Sequence, residues 1–286
     1  MRDALNATGR PIVYSVHSSV TPGTMQPSLA NFWRTGPDIG SSYEQVLDRA
    51  MIANNVSAYL PAGPGGWADP DMLVVRLHAI AARPTLRLCD PPEQLSVHAG
   101  SSCLADTLDA LAQVGNIGHG SSGSPPSLFP DAEGRTQFAL WCLLKAPLLI
   151  GTFIHNITEG PTLATLTAKA AIAVNQDALG EPGVLRRDGG WAPDKPRPTT
   201  NKAFGFQLWS GALSGGRAAA VLANLEPAHA QTLTLATEDL PRSRAMVAKW
   251  DVEEAFSGKV RRGVNLPETV SVPPHDVAMW VLTPSS

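Results

Sequence analysis

The 286 residues carry 22 Lys and Arg against 25 Asp and Glu, a net charge of −3, which excludes the basic face that nucleic-acid or membrane-surface binding needs. Apolar residues make up 43%, enough core for one large domain or two of ordinary size. No apolar run approaches the ~18 residues of a membrane helix, and three cysteines (Cys89, Cys103, Cys142) without a CxxC pair exclude a zinc ribbon and a fully paired disulfide framework.

In chain order, MRDALNATGRPIVYS lacks the apolar stretch of a signal peptide and reads as the tail of a helix running into a strand at 11–16. A Pro/Gly/Ser-rich loop leads to a second strand, WRTGPDI (33–39). Ser41 and Glu44 have capping-box spacing, and Tyr43, Val46, Leu47, Ala50 and Met51 behind them recur at helical spacing as far as Asn54–Asn55. A Gly/Pro turn (61–66) precedes a third strand-like segment, WADPDMLVV (67–75). The stretch 74–113 keeps no sustained periodicity, and GHGSSGSPPS (118–127) is a loop. RTQFALWCLLKA (135–146) is a helix, PLLIGTFI (147–154) a strand, and a further helix lies near 162–173. Beyond about 184 the pattern changes to short strands at 203–211, 217–224, 231–236, 245–252 and 277–284. Phe204, Phe206 and Leu208 alternate there with Gly205, Gln207 and Trp209, the period of a half-buried strand. The expected architecture is therefore strand–helix alternation over 1–180 followed by an antiparallel β-sandwich over 181–286, its tryptophans in the core.

Read singly, the chemical residues are weak signals. Gly-Pro-Asp at 36–38 and Asp-Pro-Asp at 69–71 are turn sequences. His17 lies beside Ser15, Ser18 and Ser19 without a nucleophile elbow, and His119 has no companion at metal-ligand spacing. The spacing of whole segments says more. If 11–16, 33–39, 67–73 and 147–154 are successive parallel barrel strands, Asp38 and Asp71 both fall at C-terminal strand ends, where barrel active sites lie. Two carboxylates facing one pocket suit glycosidase chemistry.

The order RPIVYS, WRTGPDI, GGWADPDML, RTQFALWCLLKAPLLIGT, AVNQDALG, FQLWSGALSGGRAAAVLAN, PHDVAMWVL resembles the α-galactosidases of glycoside hydrolase family 27, over nearly the whole chain except about 74–130. The resemblance implies a (β/α)8 TIM barrel followed by a C-terminal antiparallel β-sandwich, retaining hydrolysis of terminal α-D-galactosides, and no cofactor or metal. It implies that Asp38 is the general acid/base, that Arg34 and Asp71 hold sugar hydroxyls, that Met72 lines the same pocket, and that Trp67 packs beside them or in the barrel core; His17, where the family's loop contacts the sugar 2-position, either donates a hydrogen bond there or serves the loop.

Three departures qualify it. The family's nucleophile lies in a Y-x-K-x-D-x-C segment upstream of the strand equivalent to 11–16, so the chain is expected to be the second half of the barrel, strands five to eight, plus the sandwich, with Met1 an internal methionine. Val16-His17-Ser18 stands where the family reads C-E-W or a close variant, leaving α-N-acetylgalactosaminidase and β-L-arabinopyranosidase open, along with a non-catalytic sugar-binding remnant. The atypical insertion 74–113 splits D-M-L from Val114-Gly115-Asn116 and is either a translated intron or a true surface insertion. Sequons at Asn6, Asn55 and Asn156 and the family's habit imply a secreted, lysosomal or vacuolar parent enzyme, often a homodimer.

Overall fold

The computed structural model describes residues 1–17, 30–40, 42–57, 61–75, 131–151, 154, 157–189 and 205–285. The insertion beyond Val75, the loop with His119, and Asn156 lie outside the described residues.

After a short helix, α1 (Arg2–Asn6), come β1 (Ser15–Val16), β2 (Phe32–Arg34), α2 (Tyr43–Ser57) and β3 (Trp67–Asp69). The three strands form one parallel sheet in the order β1-β2-β3. Ser15 registers with Phe32 and Phe32 with Trp67. Parallel pairing continues beyond β3 as a single bridge between Leu73 and Ile150, so the expected strand at 147–154 is reduced to one bridged position among the described residues. β2 and β3 stop short of the expected 33–39 and 67–75 at their C-terminal ends, and β1 lacks the expected positions 11–14.

The helix α2 begins where the sequence placed it; Ser41 lies outside the described residues, and a reciprocal cap is made by Ser42 and Gln45. Gln45 N–H donates to Ser42 Oγ at 3.3 Å, and Ser42 N–H to Gln45 Oε1 at 3.4 Å. Its inward stripe, Tyr43, Val46, Leu47, Ala50 and Ala53, is buried against α3 (Asp131–Leu143). The helix expected at 162–173 is two short ones, α4 (Gly160–Leu166) and α5 (Lys169–Asn175), separated where Ala168 takes an extended conformation.

The C-terminal part holds a six-stranded antiparallel sheet in the order β4-β5-β6-β11-β8-β9, from β4 (Val184–Asp188), β5 (Phe206–Ala212), β6 (Ala218–Asn224), β8 (Trp250–Glu254), β9 (Val260–Val264) and β11 (Val277–Pro284). A two-stranded sheet of β7 (Gln231–Leu235) and β10 (Glu268–Val272) packs on it. The half-buried alternation expected for β5 does not hold. Leu208 enters the core between the two sheets, whereas Trp209 enters a second core shared with α3. Both faces of β6 and β11 are covered in the same way: Ala220, Leu222, Trp280 and Leu282 face the small sheet, and Val221, Met279 and Val281 face the helices. A strand covered on both sides reads as a continuous apolar run, which is why RAAAVLAN and VAMWVL lack alternation.

Candidate active site

The site lies at the C-terminal ends of β2 and β3. Arg34, the last residue of β2, directs its guanidinium across both strand ends. One nitrogen, Nη2, donates to Asp38 Oδ1 at 3.1 Å and forms an ion pair with Asp71 Oδ2 at 2.7 Å. The two carboxylates therefore converge on one group, although they stand 33 positions apart in the chain. They differ in setting: the Asp71 side chain is 6% exposed and the Asp38 side chain 50%. His17, just past β1, brings Nε2 to 3.5 Å from Asp38 Oδ1 and is largely open to solvent.

Asp71 is held by nearly everything around it. Asp69 Oδ1 accepts the Asp71 N–H at 2.8 Å, the local turn that Asp-Pro-Asp favours. Asp71 Oδ1 accepts the Met72 N–H and Oδ2 the Ile39 N–H, each at 2.8 Å. Behind it, Trp141 Nε1 of α3 donates to the Asp71 carbonyl at 2.6 Å. These contacts hold Asp71 at φ 92°, a left-handed conformation uncommon for any residue but glycine and found at functional sites when surroundings enforce it. Burial pushes the Asp69 carboxyl above the ordinary aspartate value, against the opposing pull of the Asp71 amide and the Arg34 charge.

Of the residues singled out from sequence, Arg34, Asp38, Asp71 and His17 form one cluster. Met72 follows directly and packs with its sulfur over Gly151, where any β-carbon would lie 2.1 Å from it. Trp67 stands apart, at the opposite end of β3, with its ring against the turn at Gly180. Asp69, Gln137 and Trp141 were not singled out as site residues. Gln137 and Trp141 are one helical turn apart, and their side chains bond the backbone of residues 71–74: Gln137 accepts from the Val74 N–H at 2.9 Å and donates to the Met72 carbonyl at 3.1 Å. A polar side chain inside the apolar run FALWCLL was the available signal. Among the described residues no group of three or more His, Cys, Asp or Glu could hold a metal ion.

An open carboxylate beside a buried, arginine-clamped one at parallel strand ends is an arrangement of the glycoside hydrolase class. The comparisons agree with it. Residues 1–83 match the family model described as Alpha galactosidase A, and residues 203–282 that of the Alpha galactosidase C-terminal beta sandwich domain. Alpha-galactosidase 3 of Arabidopsis thaliana is 32% identical over 300 residues, covering 100% of this chain and 51% of the plant protein. The alpha-N-acetylgalactosaminidase of Gallus gallus is 27% identical over 299 residues, covering 100% of this chain and 58% of the chicken protein. A β-L-arabinopyranosidase of family GH27 from Geobacillus stearothermophilus has the same fold, with a TM-score of 0.66 at 18% identity over 99% of this chain and 52% of that one. The chain belongs to glycoside hydrolase family 27, the α-galactosidase family, and corresponds to the C-terminal portion of its members. It spans about half the length of the curated relatives it matches.

Proposed function

We propose that the chain is the acid/base-bearing half of a retaining glycosidase acting on terminal α-D-galactosides. The observation that carries this reading is the shared guanidinium: Arg34 Nη2 holds the exposed Asp38 and the buried Asp71 together at the strand ends. Asp38 has the solvent access to protonate a departing glycosidic oxygen and then to take a proton from the attacking water. Asp71, its carboxylate fixed by two backbone amides and Arg34, is suited to accept hydrogen bonds from ring hydroxyls.

The three parallel strands and the Leu73–Ile150 bridge support assigning residues 1–180 to barrel strands five to eight and 181–286 to the sandwich. Retention needs a second carboxylate as nucleophile. No Y-x-K-x-D-x-C segment occurs in these 286 residues, and Asp69 is committed to the Asp71 amide. Hydrolysis by this chain alone is accordingly negligible, and the complete site draws its nucleophile from polypeptide outside it. The exposed His17 beside Asp38, in place of the family's usual residues, favours keeping N-acetylgalactosamine and L-arabinopyranose in view as the recognised sugar. The proposal extends, on the resemblance alone, to a secreted, lysosomal or vacuolar parent enzyme that assembles as a homodimer.

The test is titration calorimetry of the chain with D-galactose, N-acetyl-D-galactosamine and L-arabinose, beside hydrolysis of 4-nitrophenyl α-galactoside. Galactose binding that weakens by about tenfold or more in Arg34→Met, with no measurable turnover, is expected. Robust turnover would overturn the half-site reading, and no binding of any of the sugars would overturn the sugar pocket.

A further inference from the structure

The mid-helix residue Arg49 of α2 is buried, its side chain 7% exposed, on the same helical face as Val46, Ala50 and Ala53. A guanidinium in such a place is costly to desolvate unless its donors are matched, and an apolar side chain of similar volume would often serve stability as well. Its donors are matched on the loop that carries Asp38. Nε donates to the Pro37 carbonyl at 2.7 Å and Nη2 to the Asp38 carbonyl at 3.0 Å, while Nη1 pairs with Asp48. The loop lies tight on the helix: a β-carbon at Gly36 would come within 3.3 Å of Ile52 Cδ1 and 3.5 Å of Arg49 Cδ. Two successive carbonyls held from below leave the next amide, Ile39 N–H, directed at Asp71 Oδ2.

We infer that Arg49 is a positioning residue for the candidate acid/base: it fixes the backbone on both sides of the Asp38 α-carbon so that the carboxylate meets Arg34 and the loop docks on Asp71. Arg34 aims the side chain and Arg49 sets where that side chain starts. The backbone statement stands on geometry alone; its catalytic meaning rests on the proposed function.

Amide hydrogen exchange on the full chain tests it, with Arg49→Met and Arg49→Lys. In Arg49→Met the Ile39 amide is expected to lose about tenfold or more of its protection, while Val221 and Leu222 in the sandwich keep theirs. The lysine variant, which keeps the charge but lacks the fork that spans two carbonyls, is expected to fall between the two. Unchanged Ile39 protection in both variants would overturn the proposal, as would a loss of equal size throughout α2 and the sandwich, the mark of general destabilisation. Should Arg49→Met fail to fold, the lysine variant decides by the same comparison. Galactose titration forms a separate arm: a wild-type chain that binds no sugar counts against the proposed function, and the Ile39 result still decides whether Arg49 sets the loop.

Discussion

At the scale of single residues the site turns on Asp71, which combines a strained backbone with a buried charge. The two contributions separate by substitution. Asparagine tolerates left-handed backbone and keeps one acceptor oxygen, so Asp71→Asn removes the charge that balances Arg34 and one of the two acceptors that meet the Ile39 and Met72 amides. Its expected cost is about 2–3 kcal/mol, because a mostly buried guanidinium loses a carboxylate partner. Alanine tolerates the backbone less well, and Asp71→Ala is expected to cost about 1–2 kcal/mol more than the asparagine variant. Urea unfolding of both variants checks the order; equal losses would mean that the 92° φ angle carries no strain in the folded chain. The place of Asp38 and Asp71 was legible because the strand-end carboxylates stand in short, recognisable segments, W-R-T-G-P-D and W-A-D-P-D-M. What holds them was not. Arg49, Gln137 and Trp141 act through their side chains on backbone groups, which leave no pattern in sequence, and the two α3 residues lie 63 and 70 positions from the groups they bond.

Among elements, α3 is the one on which the others depend. It is almost wholly buried because it packs against α2, β6 and β11 at once, with Phe138, Leu140, Trp141, Cys142 and Leu143 each at most 1% exposed. Its apolar run was easy to read as a helix, but its apolar residues fall on every side, and only the fold shows why: one face supports the segment 71–75 beyond β3 and the other the sandwich. Close approach explains Gly134, a residue with poor helix propensity in the first turns of α3. A β-carbon there would lie 2.8 Å from Cγ1 of Val75. The branched valine has no free end to swing away, so Gly134→Ala forces the helix and the segment beyond β3 apart. The propensity gain of an alanine in a helix, about 1 kcal/mol, is opposed by overpacking of about 1–3 kcal/mol. Net destabilisation with a weakened Val74–Gln137 hydrogen bond is the expected outcome, read from the denaturation midpoint and from the exchange rate of the Val74 amide. A more stable variant would show that the contact relaxes without cost.

In the whole molecule, the helical part and the sandwich are joined by polar contacts as well as by the shared core. Arg135 grips Asp276 through both oxygens, at 3.0 and 2.6 Å, and His275 Nδ1 lies 2.6 Å from Glu133 Oε1 while its ring stacks on Tyr43. The densest node is Asp177, just after α5. Its side chain, 1% exposed, accepts from the Ser214 amide and hydroxyl at 2.8 Å each, from Arg217 at 2.7 Å and from the Leu179 amide at 3.1 Å. The sequence places a boundary near 180 by its change of texture, but conveys nothing of this node, whose partners stand 37 and 40 residues further on. Separating 181–286 from the rest would carry a cost here, since it would bare Trp209, Val221, Met279 and Val281 as well as the polar partners of Asp177. Burial alone would raise the Asp177 carboxyl; the Ser214 and Leu179 hydrogen bonds and the Lys145 charge outweigh it and leave it below its ordinary value of 3.8. A carboxyl depressed in the fold stabilises above its unfolded pKa, and that contribution fades as pH falls through the folded value. Asp177→Asn is therefore expected to lose about 3 kcal/mol at neutral pH, where Arg217 is left without its carboxylate. The gap between wild type and variant should narrow below about pH 4 as the native carboxyl takes up its proton. Denaturant unfolding of both proteins across that range measures it, and a gap that stays constant with pH would show that the node contributes shape and not charge.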